Sequence, residues 1–253
     1  MVDLQGTQNI GGTTATFALV KAHGCLMIAA WVLFASIGVV LARYYKPMWP
    51  ERKLLKEKVW FQFHRGLMVL ALVCVITGFV LIFVHAEGWT NIEGPDVSNF
   101  QKAHPYLGVI VTALTLINPI MALFRPHPGD KYRFVFNWAH WMVGTGGHIL
   151  GVLTIFIGVT LQISSTPFYV VYILAAYAGY QFFIELLLEI HDCCLSGSKS
   201  RSSAYEMKDA NKLEREDQPT DPDGSKFKKI VIALHTVIIV GFATTIIVIV
   251  AIN

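Results

Sequence analysis

Six continuous apolar blocks, each about as long as a bilayer is thick, dominate the chain and leave few folds open to it. A helix needs about 20 apolar residues to cross the hydrocarbon core, and there it must satisfy its own backbone polar groups. The blocks run from about 16 to 42, 59 to 85, 103 to 124, 136 to 162, 167 to 190 and 229 to 252. Across the 253 residues 54% are hydrophobic and 15% charged. The apolar residues gather in runs instead of recurring at the spacing of a half-buried helix or strand. The expected fold class is therefore all-α, a polytopic membrane protein with six transmembrane helices.

The polar segments divide the rest. Residues 1–15 read as an extracytoplasmic leader; they lack a basic n-region and a small-residue cleavage site, so no secretory signal is expected. Residues 16–190 hold five helices, 191–228 read as a flexible cytosolic linker, and 229–253 as the sixth helix. Of the twenty Lys and Arg residues, eighteen fall on one side of this arrangement; only Lys21 and Lys102 fall on the other. The positive-inside rule then places both termini outside the cytosol. It also accounts for the +3 net charge, so no nucleic-acid partner is implied. Cys25 and Cys74 lie in helices, and Cys193 and Cys194 follow the fifth, so no disulfide framework is expected.

One apolar block, "VWFQFHRGLMVLALVCVITGFV", carries His64 near its start. Ionisable or metal-binding side chains are costly inside a bilayer, so each is a functional candidate. His23, His64, His104 and His140 all lie within about two turns of the N-terminal ends of four successive helices. Successive helices run in opposite directions, which puts His23 and His104 at the outer leaflet and His64 and His140 at the inner one. One turn on, His23 and His64 have Met27 and Met68, whereas His104 and His140 have Gly108 and Gly144. Residues four apart share a helix face. Glycine clears room for a flat macrocycle and methionine offers an adaptable apolar contact, a combination that suits haem.

The runs "LVKAHGCLMIAAWVLFASIGVVLARYYKPMW", "WFQFHRGLM" and "HPYLGVIVTALTLINPIMALFRPHPGDKYRFVFNWAHWMVG" resemble the cytochrome b561 domain of the ferric-chelate reductase 1 (stromal cell-derived receptor 2) group. The resemblance is close over 17–162 and looser to the start of the last helix. It implies a diheme bundle built on the first four helices. Two b haems would be held by the axial pairs His23/His104 (outer) and His64/His140 (inner), with Gly108, Gly144, Met27 and Met68 packed against them. It further implies ascorbate as cytosolic electron donor and a ferric chelate or monodehydroascorbate as outer acceptor. Members of the group usually carry reelin-like and DOMON domains before the membrane core, and this chain has almost nothing there.

An iron with two axial histidines has no open position, so it relays electrons. Irons a turn or two in from each end of such helices lie roughly 15 to 20 Å apart. Near the inner site the basic residues Lys56, Lys58, Arg65, Arg125 and Arg133 stand with Tyr132 and Asn137. Lys58, Arg65, Arg133 and Asn137 are the candidates for the ascorbate anion, and each cation has a second reading as a snorkelling lipid anchor. His85 and Glu87 are candidates for contact with the outer acceptor. A homodimer is a candidate assembly for the relay, and a histidine-lined metal-ion transporter and a non-catalytic receptor or scaffold are the alternatives to it.

Overall fold

The structure, a computed structural model, describes residues 13–127, 129–206 and 221–253. In chain order it comprises α1 (Thr13–Ile28), a π-helical segment (Ala29–Ala35), α2 (Ser36–Tyr44), a hairpin of β1 (Lys53–Leu54) and β2 (Glu57–Lys58), then α3 (Val59–His85), α4 (Asn99–Leu123), α5 (Arg133–Gly158), α6 (Val170–Glu206) and α7 (Ser225–Ile252). α1, the π segment and α2 form one span, and among the described residues six helices are long and apolar enough to cross a membrane. The all-α class holds, with the two-stranded hairpin as a small addition.

The first span is the axis of the bundle. More of its most apolar window is buried, 56%, than in any other span, where the share runs from 11% to 28%. α3, α5, α6 and α7 pack around it, and α4 pairs with α5 at the edge. Outward faces stay apolar, as at Val69, Val73, Val80 and Val84 of α3 and Ile110, Ile117 and Ile120 of α4. Lipid, not a protein core, is the natural neighbour of such faces.

Several ends differ from the apolar runs because caps and ion pairs are polar. α4 begins at Asn99, where Ser98 and Gln101 close a capping box. α7 begins at Ser225 behind Gly224, whose φ of 77° suits glycine. Helix α6 continues to Glu206, beyond the end expected at 190, so the first part of the expected linker is helical. The rest of that linker, 207–220, and most of the leader lie outside the described residues.

Ion pairs fasten the hairpin end. Lys228 Nζ donates to the Tyr44 carbonyl at 2.9 Å and pairs with Asp192 at 2.7 Å, and Tyr45 donates to the Lys228 carbonyl at 2.7 Å. Asp221 accepts from the Trp49 amide at 2.8 Å and pairs with Lys229, which holds its carboxyl below the usual range. α7 is thereby tied to α2 and α6. The hairpin turns through Leu55 and Lys56, both at positive φ, and Gln62 of α3 donates to the Leu54 carbonyl at 2.9 Å.

Candidate functional site

α1 runs antiparallel to α3, and α4 antiparallel to α5, so each pair of neighbours places one histidine at each end of the bundle. At the end away from the hairpin, the rings of His23 and His104 face each other with centroids 6.5 Å apart and planes at 81°. Two imidazoles sharing one metal, each nitrogen about 2 Å from it, have centroids about 6 Å apart. The observed spacing fits that arrangement. At the hairpin end His64 and His140 lie within electrostatic reach of each other.

Each of three histidines is held from behind by a backbone carbonyl. His23 Nδ1 lies 2.8 Å from Gly78 O, His64 Nδ1 2.9 Å from Gly38 O, and His104 Nδ1 3.1 Å from Thr154 O. A carbonyl only accepts, so each Nδ1 carries the proton and Nε2 keeps its lone pair for a metal. His140 sits against the Asn118 backbone, the counterpart of Thr154 in the same α4–α5 register, but its buried Nδ1 completes no hydrogen bond.

Close helix approach makes these contacts. A Cβ at Gly38 would strike Met68 Cε, and one at Gly78 would strike Met27 Cε. Each methionine therefore packs onto the glycine whose carbonyl holds the histidine one turn before it. A Cβ at Gly158 would lie 2.9 Å from His104 Cε1, and one at Gly151 would enter the Trp31 indole.

The His23/His104 pair lines an apolar cavity with Met27, Gly108, Trp31 and Phe79. A Cβ at Gly108 would meet nothing, so that glycine faces open space. Gly144 differs: a Cβ there would lie 2.9 Å from Asn118 Nδ2, so it serves the close packing of α5 on α4. His85 lines the same cavity near Trp89 and Thr90, whereas Glu87 is exposed and is not among the lining residues.

At the hairpin end, Lys46 and Arg125 stand within electrostatic reach of both His64 and His140. Burial first, then repulsion from Arg125, Arg43 and Arg133, lowers the Lys46 pKa; burial and Arg133 lower that of Arg125. Arg125 and Arg65 approach the ring of Phe61 at 5.3 and 5.7 Å, and Lys46 that of Trp60 at 5.9 Å. Arg65 donates to Gln62 at 2.6 Å; Arg133 donates to Asn137 at 3.1 Å and to the Pro126 carbonyl. Lys58 ends the exposed hairpin immediately before α3. The structure thus brings Arg133 and Asn137 together beside Arg125, and adds Lys46, which the sequence presents only as one more cation after the first helix. Crowded like charges that depress one another form a natural seat for an anion.

Three further histidines sit elsewhere in the bundle. His148 is buried against the Trp31 carbonyl at 3.1 Å, His235 lies 3.3 Å from Tyr180 Oη, and His191 stacks on Phe227.

Comparison with known proteins agrees with this geometry. The chain is 36% identical over 236 residues to a putative ferric-chelate reductase 1 of Xenopus laevis and 35% identical over 231 residues to the ferric-chelate reductase 1 of Homo sapiens, in both cases over 90% of this chain and 36% of the relative. It is 30% identical over 261 residues to a putative ferric-chelate reductase 1 homolog of Drosophila melanogaster, over 98% of this chain and 38% of the relative. The chain thus spans little more than a third of the length of these relatives. No solved structure matches it. The profile of eukaryotic cytochrome b561 matches residues 22–165, the segment that contains His23, His64, His104 and His140. The chain belongs to the eukaryotic cytochrome b561 family of membrane haem proteins.

Proposed function

We propose that the chain carries electrons across the membrane through two b haems, one held by His23 with His104 and one by His64 with His140. The hairpin end faces the cytosol, both termini lie on the opposite side, ascorbate is the donor, and the acceptor is a ferric chelate or monodehydroascorbate. The observation that carries this reading is the facing of His23 and His104 at 6.5 Å, each Nδ1 against a carbonyl of a neighbouring helix.

Bound haem supplies reversible one-electron storage at an iron with no open coordination position. The protein does the rest. Gly78, Gly38 and Thr154 present carbonyls that fix the tautomer and tilt of His23, His64 and His104. The apolar walls around His23 and His104 keep water from the site. Lys46, Arg125 and Arg133 attract an anion to the hairpin end, where Asn137 and Arg65 add hydrogen-bond donors, with Lys58 at the rim. His85 and Glu87 at the far end offer nitrogen and oxygen to an iron chelate.

A reduced-minus-oxidised visible spectrum of the purified protein, titrated with ascorbate, tests the reading. Sharp b-type bands at two haems per chain, filled by ascorbate, are expected. A haem-free protein would favour a histidine-lined transporter or a scaffold.

A further inference from the structure

Between the two histidine pairs the bundle buries a polar cluster that electron relay does not require. It is centred on the Trp31 carbonyl in the π-helical segment, a local geometry that recurs at functional positions. Three groups converge on that oxygen: His148 Nε2 at 3.1 Å, Ser36 Oγ at 3.2 Å and Tyr177 Oη at 3.4 Å. Tyr177 Oη also lies 2.8 Å from Ser36 Oγ and 3.4 Å from His148 Nε2. His148 stacks on the Trp31 indole, with centroids 6.4 Å apart and planes at 19°. On α7, His235 is buried beside the Ser36 backbone and next to Tyr180.

From this cluster a polar ladder descends α6 to the hairpin end. Tyr177, Gln181, Glu185 and Glu189 recur every four residues and share one face of the helix. Gln181 Nε2 donates to Glu185 Oε1 at 2.7 Å, and Tyr44 donates to the Glu185 carbonyl at 3.1 Å. Glu189 pairs with Arg43 at 3.2 Å at the exposed foot. Gln181 Oε1 is buried without a partner, one turn below Tyr177, an interval that one water can bridge. A carboxylate and a glutamine on a face packed against α2 are costly in a membrane span, and packing alone would be served by apolar residues.

We propose that this ladder is a proton half-channel, leading from the hairpin-end water through Glu185, Gln181 and Tyr177 to a proton-binding site at His148. The proposal rests on the relay reading. Each electron that enters makes the interior one charge more negative; one proton taken up at His148 Nε2 cancels that charge, and it returns to the same side on reoxidation. The site serves both states. The ring keeps one proton on Nδ1 throughout: with Nε2 also protonated it donates to the Trp31 carbonyl at 3.1 Å, and when Nε2 gives up its proton the Tyr177 hydroxyl, 3.4 Å away, donates to it. The titratable groups facing His148 are Tyr177 from α6 and, across Ser36, His235 of α7 with Tyr180. The haem-site histidines lie beyond, two turns away along α5 at His140 and two turns away along the first span at His23.

The test uses the haem-loaded full chain in lipid nanodiscs. Midpoint potentials are measured across the neutral pH range, and proton uptake on reduction is followed with a soluble indicator dye. In the wild type, potentials fall as pH rises, because the reduced form holds the extra proton. His148→Gln keeps both haems and loses most of that slope. Glu185→Gln keeps the slope, since the site is intact, but slows uptake about tenfold or more. Tyr177→Phe, which preserves the ring packed on Phe242, slows uptake likewise. A wild-type slope in His148→Gln, or uptake at the wild-type rate in both Glu185→Gln and Tyr177→Phe, would overturn the proposal. A wild type that takes up no proton would do the same. A wild type without haem bands would overturn the relay reading, and this proposal with it, before any pH is varied.

Discussion

The His23/His104 pair and the His64/His140 pair share a frame but differ in charge. In both, helices meet in antiparallel register so that a histidine of one faces a backbone carbonyl of the other, and the contact of the first span with α3 repeats almost symmetrically at its two ends, His23 on Gly78 and His64 on Gly38. The His23/His104 pair has both Nδ1 atoms on carbonyls and an apolar cavity around it. In the His64/His140 pair His140 Nδ1 completes no such bond, and Lys46 and Arg125 stand within electrostatic reach. A carbonyl behind an imidazole makes it a stronger donor to a metal, which favours the oxidised state, whereas nearby cations favour the reduced state. Histidine placement is thus a property of the repeated helix crossing, and the charge around each pair is set by what the loops bring to each end.

Removing a ligand breaks the comparison most completely. His64→Ala is expected to lower haem content from two per chain to one and leave the outer haem, and His104→Ala to do the reverse. His85→Ala should keep both, as measured by pyridine haemochrome against protein concentration. Gly158→Ala comes next. Its Cβ would enter the space of His104 Cε1, costing about 1–3 kcal/mol in overpacking. Outer haem occupancy should fall while the inner haem stays, a loss that thermal release of haem would record.

Charge changes are expected to act on the hairpin end alone. Lys46→Ala with Arg125→Gln is expected to slow reduction by ascorbate about tenfold, the equivalent of ~1.4 kcal/mol, and to leave reduction by dithionite unchanged; adding Lys58→Ala and Arg133→Gln should deepen the loss. Equal slowing with both reductants would instead indicate damage to the haem site. The sign of the pH effect follows from Lys46. Its pKa is lowered, so its charge is lost at a lower pH than for an ordinary lysine, and ascorbate affinity should decline as pH rises through that point. Arg125→Gln removes one repelling neighbour, so the decline in that single variant should move to higher pH. The smallest effect is expected from Met27→Leu, a volume-conserving change on Gly78 costing less than about 1.5 kcal/mol, read as a slight fall in the thermal midpoint.

Lipid made much of this legible in the chain itself. A run such as 59–85 must be helical in hydrocarbon, helices must alternate in direction, and so the position of a histidine along its run decides which end it reaches. Helix ends were less legible, because the residues that set them are polar and local: the Ser98–Gln101 box extends α4 four residues beyond its apolar run, and α6 continues through polar residues to Glu206. The carbonyls behind the histidines could not be read at all, since any residue presents one; only the register of two helices picks out Gly78 or Thr154. Gly144 has the same spacing from its histidine as Gly108, yet it packs on Asn118 because α4 crosses there. Lys46 looks in the sequence like any other cation after the first helix, and only the neighbouring Arg125, Arg43 and Arg133 set it apart.

Sided electron transfer tests the central claim most directly. The full chain is reconstituted in vesicles with the hairpin end facing inward, ascorbate is sealed inside, and a membrane-impermeant ferric chelate is added outside. Reduction of the external chelate at a rate dependent on the protein is expected, with His104→Ala stopping it while its inner haem is still reduced by the trapped ascorbate. External reduction at the wild-type rate in His104→Ala vesicles would contradict the relay, since it would place the outer histidine pair off the electron path.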